Sequence, residues 1–222
     1  FLDQGMPALS PSAADVSITM GSTPLDKSLV EQISKMEDVD KVFGRMEMAG
    51  LSVSSDIGEG TITLISYDDN QFEWAKEELN KGSITPAMEN ADSVLVTYQD
   101  GVNWNVGDTI VLHTSSGDKQ VTIAGILAMS TASAVNGAGS SGYMICSEQT
   151  FTALVGDLGY TTIDIQLSSA GRDDTVSTIR SIIPSDSTVS DKRITNSDAQ
   201  SSYYTGAVFI YGFLIIIALI TV

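Results

Sequence analysis

Val16, Ile18 and Met20 alternate with Ser17 and Thr19 near the start of the chain, the period of a strand with one buried face. Thr23 is placed to cap a helix, with Pro24 at its first position and Asp26 three residues on. Leu25, Leu29, Ile33 and Met36 then recur at helical spacing and form one apolar face. Val39, Val42 and Phe43 open a second strand. The same order returns near the other end. Ile163, Ile165 and Leu167 alternate with Thr162, Asp164 and Gln166; Val176, Ile179 and Ile183 mark a helix stopped by Pro184; residues 187–190 supply a short strand. Two βαβ units at opposite ends predict an α+β domain whose split halves meet in space.

Between them the pattern changes to short strands, at residues 61–66, 93–98, 109–114 and 120–127, separated by turn signals such as Gln99-Asp100-Gly101. One helix interrupts them, from about Asn70 to Leu79, with Phe72, Ala75 and Leu79 on one face. The small residues of 130–142 read as an exposed mobile loop. The predicted organisation is a first half-domain at 1–66, an inserted β-rich lobe at 67–157, a second half-domain at 158–194, and a helix at 195–222.

That last helix changes the picture. Ala199 to Val222 contains no charged residue, and from Ala207 onward almost every side chain is apolar. As a helix, 207–222 is roughly 24 Å long at about 1.5 Å per residue, short of a bilayer core of about 30 Å. We read it as the start of a transmembrane helix, with Phe209, Phe213, Leu214, Ile216 and Leu219 in the membrane segment. The plainer reading, a buried core helix, would leave a polar stripe, and Tyr211, Gly212 and Thr221 make only a weak one. Thr195 and Asp198 have capping-box spacing, no proline follows, and Tyr203 and Tyr204 fall where interfacial aromatics belong. The N-terminal stretch, with no basic region or long apolar core, is not a signal peptide and looks like the exit from an earlier membrane segment.

Charge and candidate chemistry narrow the function by exclusion. With 28 acids against 11 bases the net charge is −17, which excludes nucleic acid as a partner and disfavours anionic lipid. Such a surface attracts cationic partners, though plain solubility explains it as well. Cys146, the single cysteine, excludes an internal disulfide and reads as a small core residue. His113, the single histidine, gives no local signature of a metal site or a Ser-His-Asp set. Asp68, Asp69, Asn70 and Glu73 lack calcium-loop spacing, and Asp69 or Asn70 is better used to cap the helix that follows. The glycines of 137–142 do not join a strand to a helix in phosphate-binding fashion. Trp74 and Trp104 fit a ligand groove less well than ordinary burial. No nucleophile–base pair stands out, so neither catalytic residues nor cofactor or metal ligands are expected.

Residues 102–127 carry a resemblance. They run through a Gly107-Asp108 turn, a strand, a second turn, and a strand ending in Ile123, Gly125 and Ile126. With the split βαβ order and the apolar tail, this resembles the FtsX-like or MacB-like permease subunits of ABC transporters. Gly107 and Asp108 we read as a structural turn: glycine permits the tight backbone and the aspartate hydrogen-bonds the loop. The resemblance implies a porter-like subdomain made from the two ends, with the smaller lobe inserted. It implies a cell-membrane protein whose domain faces the extracytoplasmic side and that pairs with a second permease copy. It further implies a cytoplasmic ABC ATPase subunit that hydrolyses ATP, so that this chain does not, and a peptide, lipid or extracytoplasmic protein as further partner. Export, lipoprotein extraction, peptide sensing and hydrolase activation all remain open. The competing class is a ligand-sensing ectodomain of a membrane receptor, which would be attached to a signalling module rather than to further permease helices. A tail-anchored enzyme ranks behind both.

Overall fold

The computed structural model describes residues 14–56, 58–97, 103–128, 142–168 and 173–191. Two sheets organise them. The smaller contains β1 (Val16–Thr19), β2 (Val39–Arg45), β10 (Thr162–Leu167) and β11 (Thr188–Asp191) in the order β11-β1-β10-β2, every neighbour antiparallel. Helix α1 (Ser28–Ser34) joins β1 to β2, and α5 (Asp173–Ile182) lies between β10 and β11. Val16, Ile18, Ile163 and Ile165 meet Leu29, Ile33, Val176 and Ile179 of the helices in one core. The result is a mixed α+β fold in which strands from both ends of the chain share one sheet.

The start of α1 differs from the sequence reading. Thr23 and Pro24 precede the helix, which begins at Ser28, and Met36 lies beyond its end. Leu25 is instead held in an isolated bridge, donating from N to Tyr160 O at 2.7 Å and accepting from Tyr160 N at 3.1 Å. A backbone paired with a residue so distant in sequence cannot also make helical bonds. Asp26 then takes a capping role, its side chain accepting from Ser28 N at 2.7 Å.

The larger sheet holds β3 (Glu47–Ser55), β4 (Gly58–Tyr67), β5 (Leu79–Gly82), β6 (Ser93–Thr97), β7 (Thr109–Thr114), β8 (Gly117–Leu127) and β9 (Tyr143–Ser147). Its order is β5-β8-β6-β9-β4-β3-β7, and a further pairing of β8 with β7 closes a ring, with β5 attached outside. A closed barrel removes its own edges. Leu51, Val53, Ile62, Leu64, Ile110, Leu112, Val121 and Ile123 fill it. Helix α4 (Glu148–Val155) adds Phe151 and Leu154 to that core. Ile65, Leu95 and Ile145 point the other way, under α2 (Asp69–Glu77) and α3 (Thr85–Glu89). Strands β4, β6 and β9 are therefore apolar on both faces over part of their length, and β6 and β9 run apolar without alternation.

Three further expectations need correction. Helix α2 stops at Glu77, and Leu79 opens β5 opposite Leu127, so it is not on the helix face. The cap of α2 is Asp68 rather than Asp69 or Asn70: its side chain accepts from Gln71 N at 2.8 Å, and Gln71 Oε1 accepts from Asp68 N at 3.0 Å. The boundary drawn at 66/67 falls inside the larger sheet, because β3 and β4 pair there. Sheet membership changes at Met46, between β2 and β3. The predicted mobile loop at 130–142 lies outside the described residues apart from Gly142. Among the described residues no helix is long and apolar enough to cross a membrane.

Candidate functional site

The chain passes between the two sheets twice, at Met46 and again between Val155 and Tyr160, and an ionic cluster sits at each passage. At the first, Met46 is fully buried and exchanges two hydrogen bonds with Ser66 of the barrel: Met46 N donates to Ser66 Oγ at 2.8 Å and Ser66 N donates to Met46 O at 2.9 Å. Arg45 flanks it from the small sheet and Glu47 from the barrel. The Arg45 guanidinium lies 2.9 Å from Glu47 Oε1 through Nε and 3.3 Å from Asp164 Oδ2 through Nη1. Asp164 Oδ1 also accepts from Ser17 Oγ at 2.5 Å. The side chains are only 15% exposed at Arg45, 21% at Glu47 and 9% at Asp164, so this cluster is screened little by solvent. Arg45 Nε and Glu47 Oε1 nevertheless complete no directed hydrogen bond, so their contact is one of charge alone.

Burial opposes the Arg45 charge, but Asp164, Glu47 and Tyr67 together hold its pKa above the ordinary value. Burial raises Glu47; Arg45 lowers it and Asp164 adds to the rise, leaving it raised. Burial also pushes the Tyr67 phenol up to about 12. Its ring meets Phe72 edge-on, with centroids 5.8 Å apart.

The second passage is built differently. Lys27 Nζ, before α1, lies 2.5 Å from Glu148 Oε1 and 3.1 Å from Asp157 Oδ2. Tyr160 donates its hydroxyl to Glu148 Oε2 at 3.0 Å, and Lys27 stands 5.4 Å from the Tyr160 ring centroid. The exposures are 36% for Lys27, 39% for Glu148 and 55% for Asp157, so water and salt reach this cluster. Burial opposes the Lys27 charge, but Glu148 and Asp157 raise its pKa overall. The Gly159 N–H and Lys27 hold Asp157 below the usual carboxylate range. Burial, with the negative charge of Glu148, raises Tyr160 to about 12. The linking segment carries Gly156 at φ 92° and Gly159 at φ 69°, values glycine reaches without steric penalty. The Tyr160 ring covers Gly44, where an added Cβ would fall 2.2 Å from it.

One more relation sets how the domain is attached. Val16 opens the first described strand and Asp191 closes the last, and these two are ladder partners in β1 and β11. Antiparallel partners lie about 5 Å apart. The start of β1 and the end of β11 therefore lie side by side.

Gly107 and Asp108 form a turn on the barrel. Gly107 has φ 95°, and Asp108 Oδ2 accepts from Asn105 N at 2.9 Å. Gly107 N donates to Ile123 O and Ile123 N to Asp108 O, which stitches the turn to β8. His113 has partners that the sequence did not reveal: Ser54 Oγ at 3.0 Å from Nε2 and Asp118 Oδ1 at 2.8 Å from Nδ1. Ser54 is 59 residues away and only the β3–β7 pairing brings it near. The connectivity is that of a hydrolytic triad, but β3 is paired on both sides, by β4 and β7. The set orients His113 on an exposed barrel face.

Cys146 is buried in the barrel core, where desolvation raises its thiol pKa. Trp104 is half-buried against the same core. Asp68 caps α2, and Glu73 pairs with Lys76. Among the described residues no three His, Cys, Asp or Glu side chains converge on a metal position. The Trp74 side chain lies outside the described residues, as do Tyr203, Tyr204, Phe209, Phe213, Leu214, Ile216 and Leu219. The sequence reading missed Arg45, Glu47, Lys27, Glu148 and Tyr160. A charged residue inside an apolar strand, as Asp164 is, was the available signal.

No protein-family model and no curated protein matches this sequence. Solved structures do match the fold. The periplasmic region of MacB from Actinobacillus actinomycetemcomitans superposes with a TM-score of 0.59 at 12% identity, over 83% of this chain and 92% of that one. The extracellular domain of the noncanonic ABC-type transporter YknZ from Gram-positive bacteria gives 0.53, also at 12% identity, over 74% and 87%. The fold is thus that of these periplasmic and extracellular domains.

Proposed function

We propose that this chain, having the fold of the MacB periplasmic region, is the extracytoplasmic domain of an FtsX-like or MacB-like permease subunit of an ABC transporter. The observation that carries the reading beyond fold is the pairing of Val16 with Asp191. A domain inserted between two membrane helices needs its entry and exit side by side at one edge, and this pairing supplies that. On this reading the small sheet, 14–45 with 160–191, is the porter-like subdomain and the barrel, 47–155, is the inserted one. Residues 195–222 continue as a helix into the membrane, with Tyr203 and Tyr204 at the interface. ATP is hydrolysed by a separate cytoplasmic subunit, a second permease copy completes the assembly, and helix movements reach the outer domain as rigid-body shifts. The net charge of −17 favours a cationic peptide or protein over anionic lipid as the further partner.

The test is a flexible Gly-Ser insertion near Ser201 in the complete transporter with its ATPase. ATP hydrolysis is expected to persist while the extracytoplasmic task is lost. Wild-type output from a folded protein carrying the insertion would overturn coupling through this helix. The purified chain alone is expected to turn over no ATP; turnover that follows the chain through further purification would overturn that assignment.

A further inference from the structure

We infer that the two passages between the sheets are unlike parts of one hinge. The Met46 passage is a fixed pivot, and the 156–159 passage, clasped by Lys27, is a releasable latch. The inference concerns motion within the folded domain and stands apart from what the domain is attached to.

The pivot is fixed for three reasons. Met46 is fully buried and shares two backbone-anchored hydrogen bonds with Ser66. Only one residue separates the end of β2 from the start of β3, which leaves no slack. Arg45, Glu47 and Asp164 face one another out of bulk water, and separating them would strand a desolvated charge. Tyr67 is the further titratable group that acts on Arg45, and Glu78 acts in turn on Tyr67.

The latch has the opposite character. Four residues, 156–159, link α4 to the bridge at Tyr160, and two are glycines at positive φ. Asp157 accepts from Gly159 N at 3.0 Å, an exposed bond that water can replace when the segment changes shape. Its charges, Lys27 from the small sheet and Glu148 and Asp157 from the barrel side, are a third or more exposed. Exposed ion pairs are weak and are screened by salt, whereas the buried cluster is not. Because the ion pairs of one passage release easily and the buried cluster of the other does not, the barrel swings on the small sheet about Met46, with Tyr160, packed against both cores, as the side chain that slides. Such hinges concentrate the backbone change in a few residues at element ends.

The experiment uses the full chain in detergent, spin-labelled through Asp174→Cys on α5 and Glu59→Cys on β4, both exposed positions. Pulsed dipolar spectroscopy reads the distance distribution between the lobes. At low salt the distribution should be narrow. Molar salt, or the pair Lys27→Gln with Asp157→Asn, should broaden it by several ångströms with near-ultraviolet circular dichroism unchanged. Arg45→Lys, keeping the charge but losing the guanidinium fork, should lower the melting temperature and leave the distribution narrow. An unchanged distribution in the Lys27/Asp157 variant overturns the latch. Broadening with loss of near-ultraviolet signal overturns it too, since that is unfolding. Broadening by Arg45→Lys alone, with the latch intact, overturns the pivot.

Discussion

At Arg45 one guanidinium faces two carboxylates with little water between them. Arg45→Ala should therefore destabilise by about 3–5 kcal/mol, because Glu47 and Asp164 are left buried without a counter-charge. Urea denaturation measures this, and a loss of under about 1 kcal/mol would contradict the geometry. Glu47 behaves otherwise. Its folded-state pKa is raised, so its contribution is fully present below the unfolded value of 4.5 and is lost as pH rises through the folded value. Glu47→Gln has no such loss and should gain on wild type between pH 4 and pH 7 in parallel urea titrations. If wild type instead gains on the variant as pH rises, the sign of the Glu47 shift is wrong. None of this was legible residue by residue, since Arg45 reaches Asp164 only after β2 and β10 pair.

Elements were legible where one face meets the core and the other meets water. Strands β1 and β10 show it: Val16, Ile18, Ile163 and Ile165 are all fully buried, at the spacing their sequences display. Where tertiary pairing competes with local preference, the elements moved. Thr23 and Pro24 have good helix-start chemistry, yet the bridge of Leu25 to Tyr160 delays α1 to Ser28. Leu79 continues the α2 pattern by spacing and is taken by β8 instead. Helix α4 was not foreseen, although Phe151, Leu154 and Val155 have helical spacing behind the capping residue Ser147. In the structure Phe151 is fully buried among barrel side chains. Phe151→Ala should remove about 3–5 kcal/mol of stability through lost contacts and a residual cavity. A drop below about 1 kcal/mol in the same denaturation assay would mean that α4 does not pack into the barrel core.

For the molecule as a whole, the latch and the buried Tyr67 together set the alkaline limit. Lys27 has a raised folded-state pKa and Tyr160 is raised to about 12, so both contribute stability below their unfolded values of 10.5 and 10.0. That share is lost as pH climbs through the folded values. Asp157 is lowered and works at the other limit, its share present above 3.8 and lost as pH falls. Melting temperature should thus fall steeply between pH 10 and pH 12, and less steeply for Tyr160→Phe than for wild type. Equal slopes would remove Tyr160 from the latch. By itself the sequence determined the α+β class, the apolar faces of the small sheet and its two helices, the Gly107-Asp108 turn and the acidic charge. Each of these rests on near neighbours in the chain, where spacing and side-chain type act directly. Only the tertiary structure decided that β8 and β7 close a barrel, that β3 and β4 belong to it, and that Val16 meets Asp191. It alone placed Arg45 and Lys27 at the two passages between the sheets. Those outcomes depend on pairings across tens to more than a hundred residues, and no local periodicity encodes which strand edge another strand will find.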